Sequence, residues 1–288
     1  MLVGQIVYLI LQLFDIYINN LNKKNIEVIK PDTFNGLDML TSLILYGNEI
    51  INIEPGLFND LKELSYLSLA KNKITNIKSG LFKDLKKLNT LTLDNNSITT
   101  IEPNTFNGLD NLEILDLTDN SKNMNIKSGS FNGLHNLNTL NLYRSNITTI
   151  ESNTFNGLHS LKRLNLNSNK ITNIKPGLFG NNLLFKDLNK LNYLNLNSNK
   201  IRIIEPDTFN GLDNLNHLDL SYNTITTIKP GAFNGLGNLK TLILSKNEEL
   251  LSLLNFKNKE ILTKTNLNNN ITKLEIFKGL PSNIEIHV

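Results

Sequence analysis

Residues 88–109 read LNTLTLDNNSITTIEPNTFNGL, and the spacing inside this stretch decides the fold. Its marked positions are Leu88, Leu91, Leu93, Asn96, Ile98, Ile101, Phe106 and Leu109, and the same spacing returns along nearly the whole chain with a period of about 24 residues. The Asn recurs at Asn48, Asn72, Asn96, Asn120, Asn169, Asn199, Asn223 and Asn247, with Ser145 in its place once. A Phe column runs in step at Phe34, Phe58, Phe82, Phe106, Phe131, Phe155, Phe209 and Phe233. Two columns in register are internal repetition, and repetition overrides the two-domain expectation that 288 residues would otherwise raise.

Each position of the unit has a physical task. Leu91 and Leu93 are two apart, so they share one face of a short strand. A single unit cannot cover that face, whereas stacked units bury Leu, Ile and Phe from every repeat in one continuous core. Every fully buried side chain of this kind contributes roughly 1.5 to 3 kcal/mol. The Asn stands where the chain leaves the strand, where a buried amide can pair backbone groups that the turn leaves open. Ser145 keeps a hydroxyl without the amide's reach, so its repeat is expected to be weaker, with Asn146 beside it as a candidate for compensation.

The pattern resembles the leucine-rich repeat family, in its typical 24-residue form with a late Phe. The resemblance implies an α/β repeat architecture: a leucine-rich repeat solenoid curved into a horseshoe, with a concave parallel β-sheet and a convex side of short helical or irregular segments. Extracellular members of the family usually close their ends with cysteine-bearing caps. This sequence has no Cys, so it lacks such caps and secretion is unsupported, which leans toward an intracellular chain.

Three segments are expected: 1–24 as an N-terminal cap or signal-like segment, 25–254 as the repeat array, and 255–288 as a degenerate last repeat with a closing strand. Leu2 to Phe14 is apolar, yet no Lys or Arg precedes it and no small-residue cleavage site follows, and Gln5, Gln12 and Asp15 interrupt it. A cap is favoured over a signal peptide and over a membrane anchor. Spacing grows by one residue around Ser121 to Met124 and by six between Asn169 and Asn199, which places a bulge at Gly180 to Leu184. Near the end Leu262, Leu267, Asn270 and Ile271 fit a poorer unit, and Ile284, Ile286 and Val288 alternate as a strand.

Composition sets limits on function. The chain is 40% hydrophobic and 19% charged, with a net charge of only +3 and acids and bases interspersed. No basic stripe of the kind that neutralises phosphates is visible, so nucleic acid is not the expected partner. Without Cys there is no disulfide framework and no thiolate chemistry. Asn makes up about one residue in six, so the sequons at Asn95, Asn146 and Asn270 carry little weight.

After the second Ile of each unit stands a charge whose sign alternates: Lys30, Glu54, Lys78, Glu102, Lys127, Glu151, Lys175, Glu205, Lys229. Duplication of a two-repeat unit accounts for it. Stacked in register, alternation turns self-repulsion into attraction, although an exposed pair contributes only about 0 to 1 kcal/mol.

Binding belongs on the outward strand positions, which no core requirement fixes. In order they are Ser42, Tyr66, Thr90, Ile114, Thr139, Arg163, Tyr193, His217 and Thr241 in one column. The next holds Ile44, Ser68, Thr92, Asp116, Asn141, Asn165, Asn195, Asp219 and Ile243. Tyr and Arg are frequent anchors at interfaces. The candidate patch is therefore Tyr143, Arg144, Arg163, Tyr193, His217 and Tyr222, flanked by Asp94, Asp116 and Asp119. His135 and His159 have no third ligand, and no nucleophile or phosphate-loop motif appears, so neither metal, cofactor nor catalysis is expected. The leading expectation is a non-catalytic scaffold for a protein partner, with the membrane an unfavoured one. A surface receptor for carbohydrate is the rival.

Overall fold

The computed structural model describes residues 17–18, 21–120, 123–151, 153–175, 188–254, 261–263 and 275–288. The expectations for residues 1–16, for the bulge at 180–184 and for Leu267, Asn270 and Ile271 lie outside them.

The repeats coil into a solenoid whose one large sheet has twelve short strands. In chain order these begin with β1 (Tyr17–Ile18), β2 (Ser42–Ile44), β3 (Tyr66–Ser68) and β4 (Thr90–Thr92). After β5 (Thr100–Ile101) come β6 (Ile114–Asp116), β7 (Asn125–Ile126), β8 (Thr139–Asn141), β9 (Arg163–Asn165) and β10 (Tyr193–Asn195). The series continues with β11 (Ile203–Ile204), β12 (His217–Asp219), β13 (Thr227–Ile228) and β14 (Thr241–Ile243). A helix α1 (Glu248–Leu253), β15 (Ile261–Thr263) and β16 (Glu285–His287) complete the chain. The large sheet runs β1-β2-β3-β4-β6-β8-β9-β10-β12-β14-β16-β15, parallel from β1 to β16. Of the two convex alternatives the described repeats take the irregular one. Their backs are turns such as Leu109 N–H donating to Phe106 O at 3.2 Å, joined in places by the small parallel ladders β5·β7 and β11·β13.

Two side-chain columns hold neighbouring turns together. The central residue of each strand, from Leu43 to Leu242, is fully buried. Behind it the Phe rings stack at centroid distances from 6.1 to 6.3 Å and within 14° of parallel. This is the offset stacking that aromatic quadrupoles favour. The spine extends further than the sequence columns reached, since Phe277 lies 6.0 Å from Phe233. Gly108, two residues after its Phe, has φ +96° and no room for a side chain, because a Cβ there would meet the Lys83 carbonyl oxygen at 2.6 Å.

The Asn column is a continuous hydrogen-bond ladder. Asn48 Nδ2 and Asn72 Nδ2 both donate to Leu45 O, at 3.0 and 2.9 Å, and Asn72 Oδ1 accepts the Ile50 N–H at 3.1 Å. The same sharing recurs at Leu69, Leu93, Leu166, Leu196 and Leu220. At Ser145 the hydroxyl spans part of the gap, donating to Leu117 O at 3.0 Å. The next repeat supplies more, as Asn169 Oδ1 accepts from both Ser145 N and Ile147 N, at 3.1 and 3.0 Å.

The alternating charges close as ion pairs at Lys78–Glu54 (2.5 Å) and Lys229–Glu205 (2.7 Å). Glu151 instead accepts the Ser128 N–H at 3.0 Å. Further pairs join neighbouring turns elsewhere: Lys73 with Glu49, Lys87 with Glu63 and Lys86 with Asp110. The C-terminal end departs from a simple continuation. β16 is the next parallel rung beside β14, and β15, though earlier in sequence, lies outside it and antiparallel. The antiparallel strand thus breaks the parallel register of the repeats at this end.

Candidate binding face

Strand pairing places the outward residues as the repeat spacing predicts. Ser42, Tyr66, Thr90, Ile114, Thr139, Arg163, Tyr193, His217 and Thr241 are successive cross-strand partners, continued by Glu285. The next column runs in the same way from Ile44 to Ile243 and on to His287. Leu between the two columns points into the core, so these two rows face outward together.

Three candidate residues form one assembly on this face. The Arg163 guanidinium carbon lies 4.2 Å from the Tyr193 ring centroid, and the His217 ring stacks on Tyr193 at 4.9 Å and 4°. They come from the adjacent strands β9, β10 and β12, so Tyr193 is sandwiched, with cation on one face and imidazole on the other. Asn195 Nδ2 donates to the Tyr193 hydroxyl at 3.2 Å, and Asn195 Oδ1 accepts the Asn197 N–H at 2.9 Å. Asp219 Oδ1 is engaged by Ser221 N at 2.9 Å. Burial holds the His217 pKa below its ordinary value of 6.5; Asp219 pulls it back up, while His287 and Arg163 add to the downward push. The lowered pKa favours the neutral imidazole, which suits stacking on a ring that also carries a guanidinium.

Tyr143 and Arg144 form a second group. Arg144 lies 5.6 Å from the Tyr143 ring centroid and its Nε is 3.1 Å from Asp119 Oδ1. Tyr222, 57% exposed, stands apart from both groups among the described ring contacts. The sequence-defined patch is thus a three-residue stack, a pair with its acid, and a solitary Tyr. Of the flanking acids, Asp116 Oδ1 accepts the Thr118 N–H at 2.9 Å, and Asp94 accepts from the Asn95 amide at 2.9 Å.

Arg144 and Tyr222 also share a backbone property invisible in residue type. They belong to the column just before the Asn ladder, where Lys71, Asn95, Asp119, Arg144, Ser168, Ser198, Tyr222 and Lys246 have φ between 50° and 62°. Left-handed backbone costs non-glycine residues roughly 1 to 2 kcal/mol each. Cross-repeat bonds oppose that cost: Asp119 N–H donates to Tyr143 O at 2.8 Å and Tyr222 N–H to Ser245 O at 3.0 Å.

A second aromatic–cation cluster was not singled out from sequence. Lys23 and Lys71 lie 5.9 and 5.2 Å from the Tyr46 ring centroid. Hydrogen bonding to Tyr46 holds the Lys71 ammonium above its ordinary pKa, with Asp94 acting in the same direction and desolvation against it. Tyr46 stands two residues before Asn48, as Tyr143 does before Ser145; the Lys of the preceding and following turns at the left-handed position were the missed signal. The His135 and His159 rings stack at 6.1 Å, and no group of three metal-ligating side chains occurs among the described residues. No helix of the described residues is long and apolar enough to cross a membrane.

The leucine rich repeat family model matches residues 20–74, 62–121, 124–171, 136–184 and 189–248. The chain belongs to the leucine-rich repeat family. No curated protein sequence matches it. Among solved structures, this leucine-rich repeat chain is similar to one in the TLR13–ssRNA13 complex, with 28% identity and a TM-score of 0.65 over 78% of this chain and 32% of that one. It is also similar to a chain of the Toll–Spatzle complex of Drosophila, with 23% identity, a TM-score of 0.68 and coverage of 77% and 29%. A third is in the octameric complex of Latrophilin 3, Unc5D and FLRT2, with 25% identity, a TM-score of 0.56 and coverage of 78% and 74%. The chain thus spans about a third of the length of the first two.

Proposed function

We propose that this leucine-rich repeat solenoid is a non-catalytic interaction scaffold whose protein partner docks on the concave sheet of the later repeats. The observation that carries this reading is the Arg163–Tyr193–His217 stack. Anchoring side chains lose rotamer entropy on binding, typically about 0.5 to 1.5 kcal/mol each, and groups already ordered by mutual contact lose less. Tyr143, Arg144 and Tyr222 extend the face as separate contacts.

The FLRT2-containing complex, an assembly of proteins, supports a protein partner, whereas the TLR13 complex holds single-stranded RNA. The face favours protein over RNA. Single-stranded RNA is gripped largely by base stacking on open aromatic faces, and both faces of Tyr193 are taken. A carbohydrate reading has less support, since Asn165 and Asn195 are engaged by Asn167 and Asn197 backbone groups.

The test starts from a partner captured by the folded chain and identified by mass spectrometry. Arg163→Ala and Tyr193→Ala are expected to weaken that partner's binding about thirtyfold with the melting transition unmoved, while the convex Lys83→Ala changes neither. Unaltered affinity in both stack variants would remove the concave-face reading.

A further inference from the structure

Beside the stack, one residue earlier on each strand, runs a groove across the later repeats. Lys162, Asn192, Asn216 and Lys240 precede Arg163, Tyr193, His217 and Thr241, and Lys190 joins them from the preceding turn. No carboxylate lines this stretch, and its three lysines are exposed without an ion pair among the described residues. Lys162 and Lys190 also end the adjoining groove of the earlier repeats, where Glu63 and Glu113 stand farther along it and Lys87 is held by Glu63 at 2.6 Å. With Arg163 alongside, the later rim sets four cations next to a preassembled aromatic stack, against one acid of the same outward column, Glu285 beside Thr241, on a chain whose net charge is only +3.

We infer that the lysine-lined groove of the later repeats takes an extended acidic segment of the protein partner, laid across strands β9 to β14 with its carboxylates on Lys162, Lys190 and Lys240. The inference rests on the concave-face reading above and gives its partner a chemistry. Successive strands lie about 4.8 Å apart, so Lys162 and Lys240, three strands distant, are separated by roughly 14 Å. An extended chain advances about 3.4 Å per residue and points alternate side chains to one side. Acids at i, i+2 and i+4 therefore cover about 14 Å, the span of the three lysines. Asn192 and Asn216, between the outer lysines, offer donors and acceptors to the main chain of such a segment. Glu63 and Glu113 repel the same segment from the earlier rim and so fix where it lies.

The test is fluorescence anisotropy on the full chain with a labelled peptide of roughly eight residues that alternates Glu and Thr. Its Gln-Thr counterpart and an oligouridylate of similar length are measured beside it. The Glu peptide is expected to bind, the Gln peptide to bind about tenfold more weakly or less, and affinity to fall between about 0.05 and 0.2 M salt. Lys162→Gln, Lys190→Gln and Lys240→Gln combined should lose about tenfold, whereas Lys87→Gln stays within about twofold. No binding of the Glu peptide, equal binding of the Gln peptide, or a triple variant that keeps full affinity would each overturn the inference. Oligouridylate binding as tightly as the Glu peptide would assign the groove to nucleic acid and overturn it too. Arg163→Ala and Tyr193→Ala, measured on the same peptide, separate the two readings. Loss in these but not in the lysine variant leaves the concave anchor standing without the acidic segment; loss in the lysine variant alone leaves the groove and removes the anchor.

Discussion

Asn169 and Asn199 donate to one and the same oxygen, the Leu166 carbonyl, at 2.9 and 3.0 Å. Elsewhere two such Asn are one 24-residue period apart, but six extra residues separate this pair. The register nevertheless survives, with Arg163 opposite Tyr193. The ladder therefore tolerates six extra residues between two rungs, provided the turn returns its Asn to the carbonyl below. That tolerance is what sets Arg163 beside Tyr193 and lets the stack exist.

Removing a rung should be costly. Asn169 donates to Leu142 O, Leu166 O and Asn167 O and accepts from Ser145 N and Ile147 N. Asn169→Ala strands buried backbone groups and is expected to destabilise the fold by about 2 to 3 kcal/mol, with Ser145→Ala nearer about 1 kcal/mol. Urea midpoints measure both. Equal small losses would mean that the amide ladder contributes little.

The left-handed column makes a prediction of opposite sign for two changes at one exposed residue. Tyr222 has φ 51°, so Tyr222→Gly releases backbone strain and is expected to be neutral or stabilising by up to about 1 kcal/mol. Tyr222→Val puts a β-branched side chain into that region and should destabilise by about 1 kcal/mol or more. Melting temperatures that fall equally in both variants would contradict the strain account.

Acid should weaken the region around the stack. The folded His217 pKa lies below 6.5, so under pH 6.5 the unfolded chain takes up this proton more readily than the folded one. Its contribution to stability is complete above about pH 7 and is lost as pH falls through 6.5 toward the depressed folded value. His217→Gln should flatten stability across that window relative to the parent chain. Identical pH profiles would place the titration elsewhere.

Charge reversal tests the alternating ladder where a pair is formed. Glu54→Lys removes the partner of Lys78 and is expected to destabilise by about 0.5 to 1 kcal/mol at low salt, shrinking in concentrated salt. Both side chains are about half exposed, which keeps the effect small. A loss unchanged by salt would show that the effect is not electrostatic.

Period and register were legible in the sequence because they depend on residue type at fixed spacing. Leu91 and Leu115 must be buried together, and once they are, Arg163, Tyr193 and His217 have no alternative to sharing a row. Phe277 escaped the column reading although Phe277-Lys278-Gly279-Leu280 repeats the Phe-x-Gly-Leu of Phe106 to Leu109, because Asn270 does not stand at the distance before it that Asn96 keeps from Phe106. The left-handed column escaped because Tyr222 and Arg144 are not residues that favour positive φ; cross-repeat hydrogen bonds impose it. The place of β15 outside β16 is a tertiary choice that local spacing does not encode. Within the candidate patch, the shared row of Arg163, Tyr193 and His217 was legible, while their closing into a stack, and the separate Tyr143–Arg144–Asp119 group, depend on rotamers.

We propose that Arg163, Tyr193 and His217 act as one preassembled anchor, and a double-mutant cycle on partner affinity decides the matter. Arg163→Ala, Tyr193→Ala and the double variant are titrated against the captured partner under conditions where all remain folded. Removing Tyr193 already releases Arg163 from its stack, so the double variant should lose at least about 1 kcal/mol less than the two single losses taken together. Single losses that simply add, or single variants that bind as tightly as the parent, would contradict the anchor.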